Sequence, residues 1–333
     1  MKNYYLAWHK MIEKAVESWG KVSVSFKPRA IAITGMGGSG CVGDYIEALA
    51  SNREGFNSPI IVVKNSSLPK YITSSDLVFA VSYSGDTIET ITAFIEALRR
   101  GVKVVAVTSG GLLEKCSKTL GVPVVKVSEG LVPRAALPEM LIGILGVLDS
   151  MDLTLVSRDE VVKLAQFISE KSLDAVNEAK ALANFIYENS CNLAIATHTP
   201  LEVIAVRGKN ELNENAKIPV KVEVAPEWAH NDIVGWENPF TKNWAAITIV
   251  DSGNVFGARL IEFMESIYVK SGVKVQRLLL KGSSLLKKLI YGSLVLGLTS
   301  VELAELRGLN PLETKSIALY KKFLREITEE KPC

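Results

Sequence analysis

Short apolar runs rich in β-branched residues alternate with amphipathic stretches from residue 30 onward: "AIAIT", "CVGDYIEALAS", "PIIVV", "LVFAVS", "TIETITAFIEALRRG", "VKVVAVT" and "VPVVKVS". Runs that are apolar at every position predict strands buried on both faces. Amphipathic helices of this length between them predict a parallel sheet covered on both sides. The first part of the chain therefore reads as a doubly wound α/β unit. A charged helical region follows "PRAALPEMLIGILGVLDSM", roughly over 157–190. The alternation then recurs in "NLAIATH", "PLEVIAVRGKNELNENAK", "IPVKVEV", "NWAAITIVD", "ARLIEFMESIYVKSG" and "VKVQRLLL". Set one over the other, "DLVFAVSYSGDTIETITAFIEALRRGVKVVAVTSGG" and "NWAAITIVDSGNVFGARLIEFMESIYVKSGVKVQRLLLKG" share their pattern, which predicts an internal duplication. The expected organisation is an N-terminal helix with a first domain over 1–152, a second domain over 153–309, and a C-terminal helix over 310–333.

The 333 residues are 48% hydrophobic, enough for two well-filled cores, so disorder is not expected. With Lys+Arg 38 against Asp+Glu 36 the net charge is +2, which offers no general field for nucleic acid or an acidic membrane. Any anion must be bound locally. Cys41, Cys116, Cys191 and Cys333 form no CxxC pair, which argues against a zinc ribbon or a disulfide scaffold and fits a reducing, cytoplasmic setting. "MKNYYLAWHKMIEKAVESW" has apolar residues at helical spacing but charges throughout, unlike a secretory signal. "MLIGILGVLDSM" and "LIYGSLVLGLTSVELAEL" are too short or too mixed to span a bilayer and are expected as buried helices.

Two loops carry candidate chemistry. In "ITGMGGSGCVGDY" the glycines Gly35, Gly37 and Gly40 fit GxGxxG between a strand and a helix, the dinucleotide fingerprint, which taken alone is a weak signal. A nucleotide unit of this kind usually ends its second strand in an acid that holds the ribose, whereas "PIIVVKNSSLP" offers Lys64 and Asn65. The second loop is "SYSGDT", residues 82–87, at the carboxyl end of "LVFAV" and opening a helix. Hydroxyls, a glycine and free backbone N–H groups at a helix N-terminus form a neutral cradle for one phosphate monoester. An isolated SxSGxT is as readily a serine-rich N-cap. Two such loops at one sheet edge favour a ligand, with Gly37, Gly38 and Ser39 joining Ser82, Ser84 and Thr87.

"GMGGSG" followed by "SYSGDT" resembles the sugar isomerase (SIS) domain. Two tandem copies together with "PRAALP", "NENAK", "PEWAHND" and "ETKSIALYKKFL" resemble the archaeal-type bifunctional phosphoglucose/phosphomannose isomerase family over roughly residues 30–325. The resemblance implies tandem SIS domains, hexose 6-phosphate substrates and no cofactor. It also implies aldose–ketose isomerisation, in which a proton moves between C1 and C2 through an enediolate. Glu214 in "NENAK" would be the base, although a Glu at a polar helix end is by default a solvated surface group. His230 in "PEWAHND" would assist ring opening from the neighbouring subunit, which implies a homodimer. A lone histidine is more often structural, His9 reads as a surface or packing residue, and His198 at a strand end is held in reserve. Arg134, at a helix start where the dipole disfavours a cation, would stabilise the enediolate. Thr314 and Lys321, seven residues apart, share a helix face. By resemblance Lys321 opens the ring and Thr314 leaves room for both C2 epimers. The plain alternative for Lys315, Lys321 and Lys322 is a solvated face.

Three rivals remain at this stage. SIS domains also serve as sugar-phosphate sensors without turnover, although no helix-turn-helix or basic arm is appended here. An NAD-dependent oxidoreductase is weakened by the missing second-strand acid. Amino-sugar isomerisation would go with a glutaminase domain ahead of residue 30. A zinc-dependent route needs a His/carboxylate cluster, and His9, His198 and His230 include no close pair, so no metal is expected. "VDSGNVF" in the second copy lacks the hydroxyl set, so one phosphate site per chain is expected.

Overall fold

The computed structural model of the chain describes residues 1–189, 192–238 and 243–327. Along the chain come α1 (Lys2–Leu6), α2 (Trp8–Glu17), β1 (Ile31–Gly35), α3 (Gly37–Ser51), β2 (Ile60–Val63), β3 (Leu77–Val81), α4 (Ile88–Arg99), β4 (Lys103–Thr108), α5 (Gly111–Thr119) and β5 (Val124–Lys126). They are followed by α6 (Leu137–Asp149), α7 (Arg158–Glu170), α8 (Ser172–Asn189), β6 (Asn192–His198), α9 (Glu202–Glu211), β7 (Val220–Ala225), β8 (Trp244–Val250), α10 (Val255–Lys270), β9 (Lys274–Leu279), α11 (Leu285–Leu306) and α12 (Lys315–Ile327). These elements form two compact units. The first is Ala7–Gln166 with the chain from Thr314 onward, and the second is Met1–Leu6 with Phe167–Glu313.

In the first unit a five-stranded parallel sheet runs in the order β2-β1-β3-β4-β5. Every residue of β1 and β3 is buried, as strands apolar on both faces require. The order reverses between β1 and β3, so their carboxyl ends open the crevice where α/β sheets bind ligands. The second unit repeats the order as β7-β6-β8-β9, again parallel, and the predicted duplication is visible as shared topology. Its core is threaded by α11, packed on α8 and α9. This helix is long and apolar enough to cross a membrane, but 83% of its most apolar window is buried inside the unit, which identifies a core helix.

The single N-terminal helix predicted from the pattern is interrupted at Ala7. The short α1 belongs to the second unit, where Tyr5 is buried against Gly297 of α11, while α2 packs on α6 in the first. The C-terminal α12 also belongs to the first unit. Cys41 is a buried thiol that donates to the Gly38 carbonyl oxygen at 3.0 Å, but Cys116 is disulfide-bonded, one cross-link where the cysteine spacing argued against a framework. Cys191 and Cys333 lie outside the described residues.

One buried carboxylate ties the amino ends of the two central strands of the first sheet. Asp76, fully buried ahead of β3, accepts from Arg29 Nε at 3.0 Å and Nη2 at 2.8 Å, from the Ala30 N–H at 3.1 Å and from the Thr73 N–H at 2.8 Å. Burial alone would raise its pKa, but the Arg29 and Thr73 hydrogen bonds outweigh it and hold the carboxyl below the usual aspartate value. A lowered folded-state pKa contributes stability that is present above the unfolded value and lost as pH falls through the folded one. Asp76→Asn should therefore cost about 1–3 kcal/mol near neutral pH in urea unfolding. The deficit relative to wild type should shrink as pH falls below about 4.

Candidate active site

The first loop is built by backbones that touch directly. β1 ends at Gly35 and α3 begins at Gly37, whose φ of 53° lies in the left-handed region that glycine adopts without penalty. A Cβ on Gly40 would lie 2.5 Å from the Gly35 carbonyl oxygen, so no side chain fits between the strand end and the helix start. A Cβ on Gly38 would lie 2.8 Å from the Arg134 nitrogen and 2.9 Å from the Pro133 carbonyl carbon. The turn Pro133–Ala135 thus rests on the first turn of α3, and the side chain of Arg134 is buried beside the glycine loop. Arg134 does stand in a helical turn ahead of α6, as its plain reading had it, but the residue is buried there.

The second loop closes the same edge. Gly85, with φ 72°, leaves no room for a Cβ, which would meet the Gly110 carbonyl oxygen of the β4–α5 turn. Ser82 is buried, accepts from the Gly85 N–H at 3.1 Å and donates to Thr87 Oγ1 at 3.0 Å, so its hydroxyl is spent on shaping the loop. Thr87 Oγ1 accepts in that bond, Ser84 Oγ accepts from the Asp86 N–H at 3.3 Å, and Ser39 Oγ accepts from the Tyr83 N–H at 3.0 Å. Each of the last three hydroxyls therefore keeps its own proton to donate. All three hydrogen-bond within the 82–87 loop, which leads into the first-turn N–H groups of α4 that have no intrahelical acceptor, a set of donors suited to an anion. Tyr83, a residue the sequence did not single out, fixes the neighbouring segment. Its hydroxyl donates to Ser128 O at 2.9 Å and accepts from the Leu131 N–H at 2.7 Å, and burial pushes its pKa up.

Thr314 and Lys321 also belong to this unit. Thr314 is half-buried and just precedes α12, its carbonyl accepting from the Ala318 N–H at 3.2 Å. Lys321 is exposed, as are Lys315 and Lys322. The residue before Lys321, Tyr320, donates from its hydroxyl to Glu89 Oε1 at 2.9 Å in the first turn of α4, which brings α12 to the mouth of the second loop. Lys64, where a dinucleotide unit would carry its ribose acid, is paired with Asp44 of α3 at 2.6 Å.

The second unit holds Glu214 and His230. "NELNENAK" contains two acids, and the structure separates their roles. Glu211 is 1% exposed with both carboxylate oxygens engaged, by Arg207 Nη2 at 2.5 Å and by Asn215 Nδ2 at 3.2 Å. Glu214 is half-buried on a π-helical turn, Leu212–Ala216, that extends α9. His230 is exposed at the end of the turn Glu227–His230, which follows β7. That turn is anchored by buried Trp228 and Trp236, the latter donating to Glu223 at 3.0 Å. Glu223 also accepts from Tyr268, whose hydroxyl is pushed far above its ordinary pKa by burial and by this carboxylate. Glu214 and His230 stand at opposite ends of β7. Its six residues, at about 3.3 Å each, separate them by roughly 20 Å. One unit does not bring the two together.

His198, held in reserve by the sequence, is buried, with Nδ1 2.8 Å from the Thr199 carbonyl oxygen and its ring pressed on Gly257 at the start of α10. Its Nε2 is buried without a hydrogen-bond partner among the described residues. In the second-copy loop the Asp251 carboxylate takes the Gly253 N–H at 2.9 Å and Lys288 Nζ at 2.7 Å, so a negative group fills the place of the hydroxyls. Among the described residues no group of three His, Cys, Asp or Glu is arranged to hold a metal ion.

Two doubly wound parallel sheets, the first with two glycine-built loops at its switch point, define an α/β protein of the class that binds ligands at the carboxyl edge of its sheet. Residues 26–114 match the SIS domain, and residues 175–324 match the bacterial phospho-glucose isomerase C-terminal SIS domain. The chain is 33% identical over 312 residues to the bifunctional phosphoglucose/phosphomannose isomerase of Aquifex aeolicus (strain VF5), covering 92% of this chain and 94% of that protein. It is 34% identical over 333 residues to the protein of the same name from Aeropyrum pernix, covering 98% of each. The chain belongs to the bifunctional phosphoglucose/phosphomannose isomerase family. The C-terminal domain of glucosamine-fructose-6-phosphate aminotransferase from Francisella tularensis shares its fold, with TM-score 0.74 at 14% identity over 92% of this chain and 95% of that one.

The Gly38 contact is directly testable. Gly38→Ala forces the Pro133–Arg134 backbone away from α3 and should destabilise the protein by about 1–3 kcal/mol in calorimetry. An unchanged melting curve would mean that this segment yields freely and does not fix Arg134.

Proposed function

We propose that the chain interconverts glucose 6-phosphate and mannose 6-phosphate with fructose 6-phosphate through an enediolate, as a cytoplasmic homodimer and without a metal. The observation that carries this is the cradle of three proton-donating hydroxyls at the start of α4, with Arg134 buried beside it. In this reading Ser39, Ser84 and Thr87, with the N–H groups of Gly37 and Gly38 in the first loop, bind the 6-phosphate, and Ser82 keeps the second loop in shape. The negative Asp251 in the duplicate loop supports a single phosphate site per chain.

The chemistry then divides among four groups. Lys321 and His230 move the protons that open the hexose ring. Glu214 takes the proton from C2 of the aldose and returns it to C1, and the guanidinium of Arg134 stabilises the charge on the enediolate oxygens in between. Thr314 leaves space for either configuration at C2, which is what activity on both aldoses requires.

His230 is assigned to the neighbouring subunit's site, a reading supported by its exposure and by its distance from Glu214 along β7. Apolar surface consistent with an assembly is present on α12, where Ile317, Leu319, Tyr320, Phe323 and Ile327 are exposed.

The first test is formation of fructose 6-phosphate from each aldose in the presence of EDTA. Turnover of both is expected, and binding of both without turnover would overturn the enzyme reading in favour of a sensor. The second test mixes two variants. Glu214→Gln and His230→Asn should each lose most activity on the closed-ring sugars. When the two are unfolded together and reassembled, heterodimers should regain up to one working site, because one interface then combines an intact Glu214 with an intact His230 from the other chain. No recovery would assign both groups to the same chain.

A further inference from the structure

Glu214 does not stand on an ordinary helix. The turn Leu212–Ala216 is π-helical, a geometry with poorer hydrogen bonding than an α-helix that persists where surrounding structure fixes it, frequently at functional sites. What surrounds this turn on its inner side is polar and almost without solvent contact. Arg207 is 2% exposed, Glu211 1%, and Tyr5, Asn215 and Ser300 are fully buried. Glu211 receives Arg207, Asn215 and the Tyr5 hydroxyl, and the Asn215 amide also donates to Ser300 Oγ at 2.8 Å. The network therefore joins α1, α9, the π turn and α11, all within the second unit.

The outer side of the turn is pinned as well. Lys217, in the left-handed conformation with φ 56°, donates from Nζ to Glu214 O at 2.7 Å, Asn215 O at 3.2 Å and Asn310 O at 3.0 Å. Arg307 donates to Ala216 O. A buried ion pair of this kind is weak as a source of stability, since apolar residues of similar volume commonly do as well, but its directional bonds select one geometry. The geometry selected here is the winding of the turn that carries Glu214.

We infer that Tyr5, Arg207, Glu211 and Asn215 are positioning residues that hold the π turn, and with it the Glu214 carboxylate, in the orientation proton transfer needs. The inference rests on the reading of Glu214 as the base. Glu211 cannot take that role itself, because both of its oxygens are already occupied. If the network relaxes, the turn can rewind toward an α-helix and rotate Glu214 about the helix axis while leaving the phosphate cradle of the other unit untouched.

The test uses mild variants, because removing Arg207 or Glu211 strands a buried charge and endangers folding. Tyr5→Phe removes one hydroxyl from Glu211, and Ser300→Ala removes one of the acceptors of the Asn215 amide. Each should lower kcat for glucose 6-phosphate by about tenfold, since small misplacements of a reacting group are costly, with KM changed less than about twofold. In a Glu214→Asp background, where the carboxylate is already displaced, Tyr5→Phe should lower kcat by less than about twofold further. A purely structural role would instead lower the melting temperature and leave kcat per folded enzyme unchanged, or reduce kcat by the same factor in both backgrounds. Either result overturns the inference. Glu214→Gln separates the two levels. Loss of C2 proton exchange there, with unaffected Tyr5→Phe and Ser300→Ala, overturns the positioning role alone. Retained exchange overturns the base and the positioning role together.

Discussion

The first unit depends on backbone meeting backbone with no side chain between. At Gly35 and Gly40 the end of β1 touches the start of α3, at Gly38 the start of α3 touches Pro133 and Arg134, and at Gly85 the second loop touches the β4–α5 turn. Each contact leaves less than 3 Å for a Cβ. These approaches bring two helix N-termini and the backbone of buried Arg134 to one sheet edge, at the point where the strand order reverses. Without them the hydroxyls of Ser39, Ser84 and Thr87 would still exist, but they would not converge. Anion binding by N–H groups and hydroxyls is only as good as the fixed geometry of the donors, because a loop that must be ordered on binding gives up part of the interaction in doing so.

The second unit solves a different problem with different means. Its predicted functional groups are half-exposed or exposed, and each stands on a segment secured by buried polar clusters. The His230 turn is secured by Glu223 with Trp236 and Tyr268, and the Glu214 turn by Glu211 with Arg207, Tyr5 and Asn215. Both clusters place a carboxylate where solvent does not reach and surround it with donors. Apolar packing alone would give comparable stability, but it would tolerate sliding by fractions of an ångström, which a hydrogen-bonded carboxylate does not.

The architecture was legible in the sequence because it follows from periodicity. Strands apolar on both faces, amphipathic helices and a second pass of the same order predicted two parallel sheets, and the observed strand orders repeat. The two loops were legible for a similar reason, since glycine and hydroxyl residues crowd into short segments between a strand and a helix. The supporting clusters were not. Tyr5 and Glu211 are separated by 206 residues and Glu223 and Tyr268 by 45, and nothing in the local pattern of either partner announces the other. The break at Ala7, which sends α1 and α2 to different units, was likewise hidden, because both pieces share one helical period. The acid of "NELNENAK" illustrates the boundary well. Family resemblance pointed to Glu214, and the burial of Glu211 with the occupancy of its oxygens gives a physical reason to prefer it to the neighbouring acid.

The duplication explains how the two copies came to differ. A doubly wound sheet offers the same crevice at each switch point, so both copies have a loop where an anion can bind. In the second copy Asp251 now fills that turn and is itself satisfied by Lys288 and the Gly253 N–H. A carboxylate there repels a phosphate and consumes the donors that would bind it. With the anion confined to the first copy, as proposed, the second is free of that constraint at its carboxyl edge, and its functional groups can occupy segments that a phosphate loop does not use. Glu214 lies at the amino end of β7 and His230 at the carboxyl end. That separation supports the proposed assignment of the two groups to different subunits. It becomes intelligible if symmetry supplies the second group, since a two-fold axis can bring one end of a strand in one subunit to the opposite end of the same strand in the other.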